Sequence, residues 1–341
     1  MASNTAAWLN AAASNPFEVR AAPLWTPGEN EILIRNRAVA INPVDGNLQA
    51  ALNPWWPLTY PTILGSDVAG VVIAVGPNVM RFKEGDRVLG HGVGVFSREL
   101  QGCAFQAQTI LLANMASEIP DSISFESAAV IPLGFSTAAC ALFQDTFLNL
   151  QLPTVPSQTQ VGKTLLVWGG ASSVGSNAIQ LAVAAGYEVI TTASEKNFEY
   201  VKKLGASHAF DYNSATISSD LLSSLEGKTL AGTLDCIGED AWEYCMDIVH
   251  KSTGNKFIAT TKRGCPPPPE GVTIKQIMGI SLKDNEVGEA VYERFLPKAL
   301  EARTFVPAPE AFIAGKGLES LQDAVDIYRK GTSAKKVVVS L

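Results

Sequence analysis

From residue 31 to residue 42 the chain reads EILIRNRAVAIN, where apolar and polar side chains alternate before the run turns wholly apolar. A period of two marks a strand with one buried face. Two more strand-like runs, residues 68–75 and 87–89, are set off by Gly76-Pro77-Asn78 and Lys83-Glu84-Gly85-Asp86, both with turn chemistry. Roughly the first 125 residues therefore predict short strands in an irregular barrel. Near Glu126 the pattern changes. An alanine-rich segment at 126–143 is followed by an apolar strand at 163–168, a helix over 173–185, a strand at 188–192 and a helix over 197–204. Strand-like segments recur at 232–237, 256–260 and 272–280, and this repeated β–α–β order predicts a parallel, doubly wound sheet. The tail predicts helices over 287–301 and 318–330 and a last strand at 335–339, with loops at 153–160 and at the prolines 266–269.

Composition narrows the classes. A chain of 341 residues suits two domains, and with 47% hydrophobic and 17% charged residues it is not a disordered polypeptide. Its net charge of −7 argues against nucleic acid and anionic membrane surfaces as partners. Cys103, Cys140, Cys236, Cys245 and Cys265 are odd in number and never form a C-x-x-C pair, so they read as reduced thiols rather than a disulfide framework or zinc knuckle. The longest apolar stretch, 130–143, is interrupted by Ser136 and Thr137 and falls short of the ~20 residues of a membrane span. No secretory pattern opens the chain and Ser340-Leu341 is not a full peroxisomal tail, so cytosol is expected.

After the strand TLLVW comes Gly169-Gly170-Ala171-Ser172-Ser173-Val174-Gly175 and then a helix. Ser172 stands where a G-x-G-x-x-G turn has its second glycine, yet a tight strand-to-helix turn still presents free N–H groups and a positive dipole end to a pyrophosphate. The second strand ends Thr191-Thr192-Ala193-Ser194, without the carboxylate that would hold an NAD ribose. Ser194 and Lys196 can instead donate to a 2′-phosphate, with Asn197 and Tyr212 as further contacts, which favours NADPH; Glu195 between them opposes it. A hydrolase elbow fails, since Ala171 and Val174 hold the glycine positions of G-x-S-x-G.

The segments INPVDGNLQ, PTILGSDVAGVVIAVG, FKEGDRVLG, PLGFSTAACALF, GGASSVGSNAIQLA and VKKLGASHAFDY together resemble the medium-chain dehydrogenase/reductase superfamily over nearly the whole chain. The resemblance implies an α/β fold: a GroES-like, β-rich catalytic domain from both termini (1–128 and 281–341) and an inserted Rossmann domain (129–280) that binds a nicotinamide dinucleotide. Zinc-dependent members grip a catalytic metal at positions that here hold Asn42, Ser66 and Leu133, and Leu133 cannot ligate. His91, His208 and His250 lack metal-like spacing and read as structural or surface residues. The chain therefore looks closest to zinc-independent quinone-oxidoreductase-like members and fungal trans-acting enoyl reductases. By that resemblance Asn42, Pro43, Val44, Asp45 and Thr137 border the nicotinamide, Ser172, Ser173, Val174 and Gly175 the pyrophosphate, and Ser194, Glu195, Lys196, Asn197 and Tyr212 the adenosine phosphate. Ala259 and Thr260 would touch the nicotinamide side, Lys335 a phosphate, and 279–283 a pocket wall.

The expected reaction is hydride transfer from NADPH to the C=C of an α,β-unsaturated carbonyl or thioester, helped by hydrogen-bond donors at the enolate oxygen. Asn42 is a candidate amide donor, Asp45 a holder of its loop and Tyr60 a candidate acid; Trp55 and Trp56 could line an apolar pocket. A polyketide synthase is a candidate partner, although the net charge of −7 does not advertise a basic docking patch. NADPH:quinone oxidoreductase and a non-catalytic NADPH-binding protein stay open as alternatives, as does the oligomeric state.

Overall fold

The computed structural model describes residues 3–53 and 56–341. Its contacts divide the chain into two units, Met1–Leu133 with Pro307–Leu341, and Gly134–Val306. The first unit opens with β1 (Asn4–Leu9), β2 (Glu18–Ala22), β3 (Glu31–Ala40), β4 (Thr62–Ile63), β5 (Asp67–Val75), β6 (Arg87–His91), β7 (Gln108–Leu112) and β8 (Ala116–Glu118). The second carries β9 (Lys163–Trp168), β10 (Glu188–Ala193), β11 (His208–Asp211), β12 (Thr229–Asp235), β13 (Phe257–Thr260) and β14 (Thr273–Gln276). The chain then returns to the first unit with β15 (Glu310–Lys316) and β16 (Lys335–Ser340).

In the first unit a sheet of order β2-β1-β4 accompanies a larger one of order β15-β16-β3-β5-β6-β8, with β7 paired to β3. The alternation read in residues 31–42 is real: Ile32, Ile34, Asn36 and Ala38 are buried, while Arg35 and Arg37 are exposed. Ile32, Ile34 and Val39 join Val68, Val72, Val88, Leu111, Val337 and Val339 in one core.

The second unit is a six-stranded, all-parallel sheet of order β11-β10-β9-β12-β13-β14. Counting its strands from β9, the order is the doubly wound 3-2-1-4-5-6, which reverses beside β9 and leaves the crevice where such sheets take ligands. Its apolar strands are covered by helices: Leu166 and Ile190 of the sheet pack with Leu221, Cys245 and Ile248.

Several elements differ from expectation. The chain returns to the first unit at Pro307 rather than near 281, because Tyr292 and Phe305 stack edge-on against Phe135 and hold the helix over 286–301 in the second unit. That helix contains a π-helical segment, Ala290–Phe295, just before Pro297, which has no N–H to continue the regular ladder. β15 was not expected, since its exposed Phe312 and Ile313 break the alternation that marks a strand. Phe125–Phe143 is long and apolar enough to cross a membrane, yet 72% of it is buried in the fold, as in a core helix.

Candidate functional site

At the carboxyl end of β9 the chain turns through Gly169 (φ +87°) into the helix Ser173–Ala184. The Ser172 hydroxyl caps this helix, accepting from Gly175 N at 3.0 Å. Ser173 and Val174 lie in the first helical turn, where no helical carbonyl can reach their N–H groups. The turn has no room for side chains: a Cβ on Gly175 would lie 2.3 Å from Gly169 O, and one on Gly170 2.2 Å from Thr191 Oγ1. Thr192 braces it from β10 by accepting from Gly169 N at 2.9 Å. Ser176 donates to Gly170 O and bonds the Tyr200 hydroxyl at 2.8 Å. Ser173 Oγ is buried with no partner among the described residues. Unfilled N–H groups at a helix start beside an orphaned hydroxyl fit the pyrophosphate of a dinucleotide.

At the tip of β10, Asn197 Nδ2 donates to Ser194 Oγ at 3.0 Å. The parallel register pairs Ala193 with Asp211, which sets half-exposed Tyr212 beside Ser194. Glu195 and Lys196 are exposed, and Lys196 makes no ion pair among the described residues. A serine, an asparagine, a tyrosine and an ammonium thus gather at this strand tip together with the Glu195 carboxylate. Nearby, Thr260 is already engaged: its hydroxyl donates to Asp235 at 2.7 Å and accepts from Trp242 Nε1, while Asp235 also holds the N–H groups of Ile237 and Gly238. Thr260 thus ties β13 to β12. Gly279 lies against Thr137, close enough that a Cβ would fall 2.8 Å from its hydroxyl.

The first unit holds a buried polar cluster. β16 runs antiparallel to β3, with Val338 opposite Ala40, so two residues further along Lys336 comes opposite Asn42. Lys336 Nζ donates to Asn42 Oδ1 at 2.5 Å and pairs with the Asp67 carboxylate at 2.9 Å, with 5% of its side chain exposed and none of Asp67's. Asp67 Oδ2 also accepts from Asn42 Nδ2 at 2.9 Å, and Oδ1 from Leu133 N at 2.6 Å. Asp45 accepts from Asn42 N at 2.8 Å and from Gly65 N at 3.2 Å, tying the start of its helix to the segment before β5. Burial, opposed by the Asn42 N–H and reinforced by the charge of Asp67, raises the Asp45 carboxyl to about 7. His91, opposite Asp67 in the β5–β6 ladder, is held down at about 4 by burial, against the pull of Asp67.

These residues do not fit a catalytic zinc. The Asn42 oxygen is taken by an ammonium, Leu133 offers only a backbone N–H, and no group of three His, Cys, Asp or Glu among the described residues is arranged for a metal. A divalent ion ~4 Å from the Lys336 charge would be repelled by about 8 kcal/mol at an effective dielectric constant near 20.

Lys335, the expected phosphate contact, lies at the surface and pairs with Glu310; neighbouring strand residues face opposite sides, and it is Lys336 that turns inward. His208 and His250 are exposed, whereas His91 belongs to the buried cluster. Tyr60 is half-buried and lines a cavity of about 210 Å³ with Leu48, Trp56 and Leu58, apart from the hydrogen bonds of the cluster. Trp56 packs edge-on against Phe96 at 5.3 Å, and Trp55 lies outside the described residues. Sequence reasoning missed Lys336 and Asp67. An acid opening an apolar strand was the only signal for Asp67, and in KKVVVS nothing separated one lysine from the other.

Residues 28–120 match the alcohol dehydrogenase GroES-like domain family and residues 173–285 the zinc-binding dehydrogenase family. The chain is 57% identical over 338 residues to cipB of Emericella nidulans, a zinc-binding alcohol dehydrogenase domain-containing protein, covering 99% of this chain and 98% of that one. It is 37% identical over 341 residues to the trans-enoyl reductase himH of Aspergillus japonicus, covering 99% and 97%. Among solved structures, an alcohol dehydrogenase superfamily protein from Novosphingobium aromaticivorans shares the fold, with a TM-score of 0.80 at 24% identity and 99% of each chain covered. The chain is an oxidoreductase and belongs to the medium-chain dehydrogenase/reductase superfamily.

Proposed function

We propose that the protein is a zinc-independent, NADPH-dependent reductase that saturates the C=C of an α,β-unsaturated carbonyl or thioester. The observation that carries this reading is that Asn42 and the Leu133 N–H are engaged by Lys336 and Asp67, with an ammonium rather than a set of metal ligands at Asn42. A metal-dependent alcohol oxidation uses a Lewis acid at the alkoxide, whereas reduction of a polarised double bond calls only for a hydrogen-bond donor at the developing enolate oxygen. When bound, NADPH supplies the hydride. The first-turn N–H groups at Ser173 and Val174 would hold its pyrophosphate, and Ser194, Lys196, Asn197 and Tyr212 its 2′-phosphate. Asn42 would offer its amide N–H to the substrate oxygen.

Likeness to himH, a trans-enoyl reductase, supports a carrier-bound enoyl thioester presented by a polyketide synthase. Five unpaired cysteines suit a reducing compartment such as the cytosol. The test follows absorbance loss of NADPH, and separately of NADH, with chelator-treated protein against an enoyl thioester, an enone and a quinone. Reduction of the thioester or enone, faster with NADPH and indifferent to chelator, is expected. Loss of activity with chelator, or preference for the quinone, overturns the reading.

A further inference from the structure

Asn42 and Lys336 are buried polar groups of the first unit whose hydrogen bonds do not use all of their donor hydrogens. Asn42 is 2% exposed, and its amide has one assignable orientation: Oδ1 accepts from Lys336 Nζ, so Nδ2 is the end that faces Asp67. Flipping it would turn N–H groups toward an ammonium. An amide nitrogen carries two hydrogens and an ammonium three. Asp67 takes one hydrogen of Nδ2, and the second finds no acceptor among the described residues. Lys336 spends its hydrogens on Asn42 and Asp67, which leaves a third. A buried donor without an acceptor costs stability unless a ligand oxygen completes it.

Resting on the reductase reading, we infer that Lys336 is a positioning residue: by fixing the Asn42 amide, it keeps an N–H aimed for the substrate's carbonyl oxygen. Asp67 anchors both partners and neutralises the ammonium. Such an arrangement presets a donor for charge that develops only during hydride transfer, so its loss falls on turnover rather than on binding.

The experiment compares wild type, Lys336→Met, Asp67→Asn and the double variant, reading kcat, KM, NADPH affinity by fluorescence and the thermal midpoint. Lys336→Met strands the buried Asp67 carboxylate, so its midpoint falls; the double variant removes both charges and recovers it. Lys336→Met and the double variant are expected to lose about 50-fold in kcat, with KM and NADPH affinity within about threefold of wild type. Asp67→Asn, which keeps the Lys336–Asn42 bond, is expected to stay at least about fivefold faster than the double variant. Recovery of kcat together with stability in the double variant, or equal rates in Asp67→Asn and the double variant, overturns the inference by making Lys336 a structural charge only. Absence of turnover by wild type itself overturns the reductase reading, and this inference with it; the comparison among variants keeps the two failures apart.

Discussion

The turn after β9 and the cluster around Asp67 are both polar, and they are built from opposite materials. The turn works with main-chain N–H groups at a helix start, packed so tightly that Gly170 and Gly175 have no space for a Cβ. The cluster is built around ionisable and amide side chains, two carboxylates, an amide, an imidazole and an ammonium drawn from four segments, with the N–H groups of Asn42, Gly65 and Leu133 donating to its carboxylates. A main-chain site is sensitive to volume and little affected by pH, while a side-chain site in a dry interior is sensitive to charge.

The largest expected effect tests the charge half of this contrast. Asp45, raised from 3.8 to about 7, binds its proton more tightly folded than unfolded, so its contribution is present below pH ~4 and lost as pH rises through 7, about 4 kcal/mol in all. His91, lowered from 6.5 to about 4, does the reverse: its contribution is present above pH 6.5 and lost as pH falls through 4, about 3 kcal/mol. In wild type the two slopes nearly cancel between pH 4 and 6.5. Relative to wild type, Asp45→Asn should lose stability on acidification over that window, and His91→Gln should lose it on raising the pH from 4 to 7. Denaturant unfolding at stepped pH checks this, and variants with the wild-type slope would sink the claim that these two groups dominate.

Next comes volume. Gly175→Ala should weaken NADPH about 100-fold, since the new methyl meets backbone at Gly169 O that cannot move aside. Isothermal titration measures it, and an affinity within threefold of wild type would mean that the turn is looser than its packing. A smaller effect is expected from Lys196→Ala, about a tenfold loss in preference for NADPH over NADH as one exposed phosphate contact goes. Unchanged preference would leave the 2′-phosphate to Ser194 and Tyr212. Ser172→Ala, which removes one helix cap, should cost about 1 kcal/mol in stability at every pH. A pH-dependent loss there would erase the contrast between the two regions.

The second unit was readable along the chain because each strand, turn and helix is local: TLLVW, the glycine turn and the helix after it are contiguous, and period alone separates them. β14 pairs despite the preceding proline run because its ladder starts at Thr273, beyond the last proline. The cluster was readable only in part. Asn42 and Asp45 stood out near a recognisable segment, but Lys336 is 294 residues from Asn42 and carries no local mark that separates it from Lys335.

By itself the sequence determined the doubly wound sheet and the glycine turn after TLLVW, because both follow from residue type and short-range order, while the want of metal ligands at Asn42, Ser66 and Leu133 was read from the family resemblance. Tertiary structure alone decided which lysine is buried, that Asp67 and Asn42 receive it, and that Asp45 and His91 titrate away from their ordinary ranges. Those properties arise from sheet register and from removal of water, and both exist only after distant segments have packed.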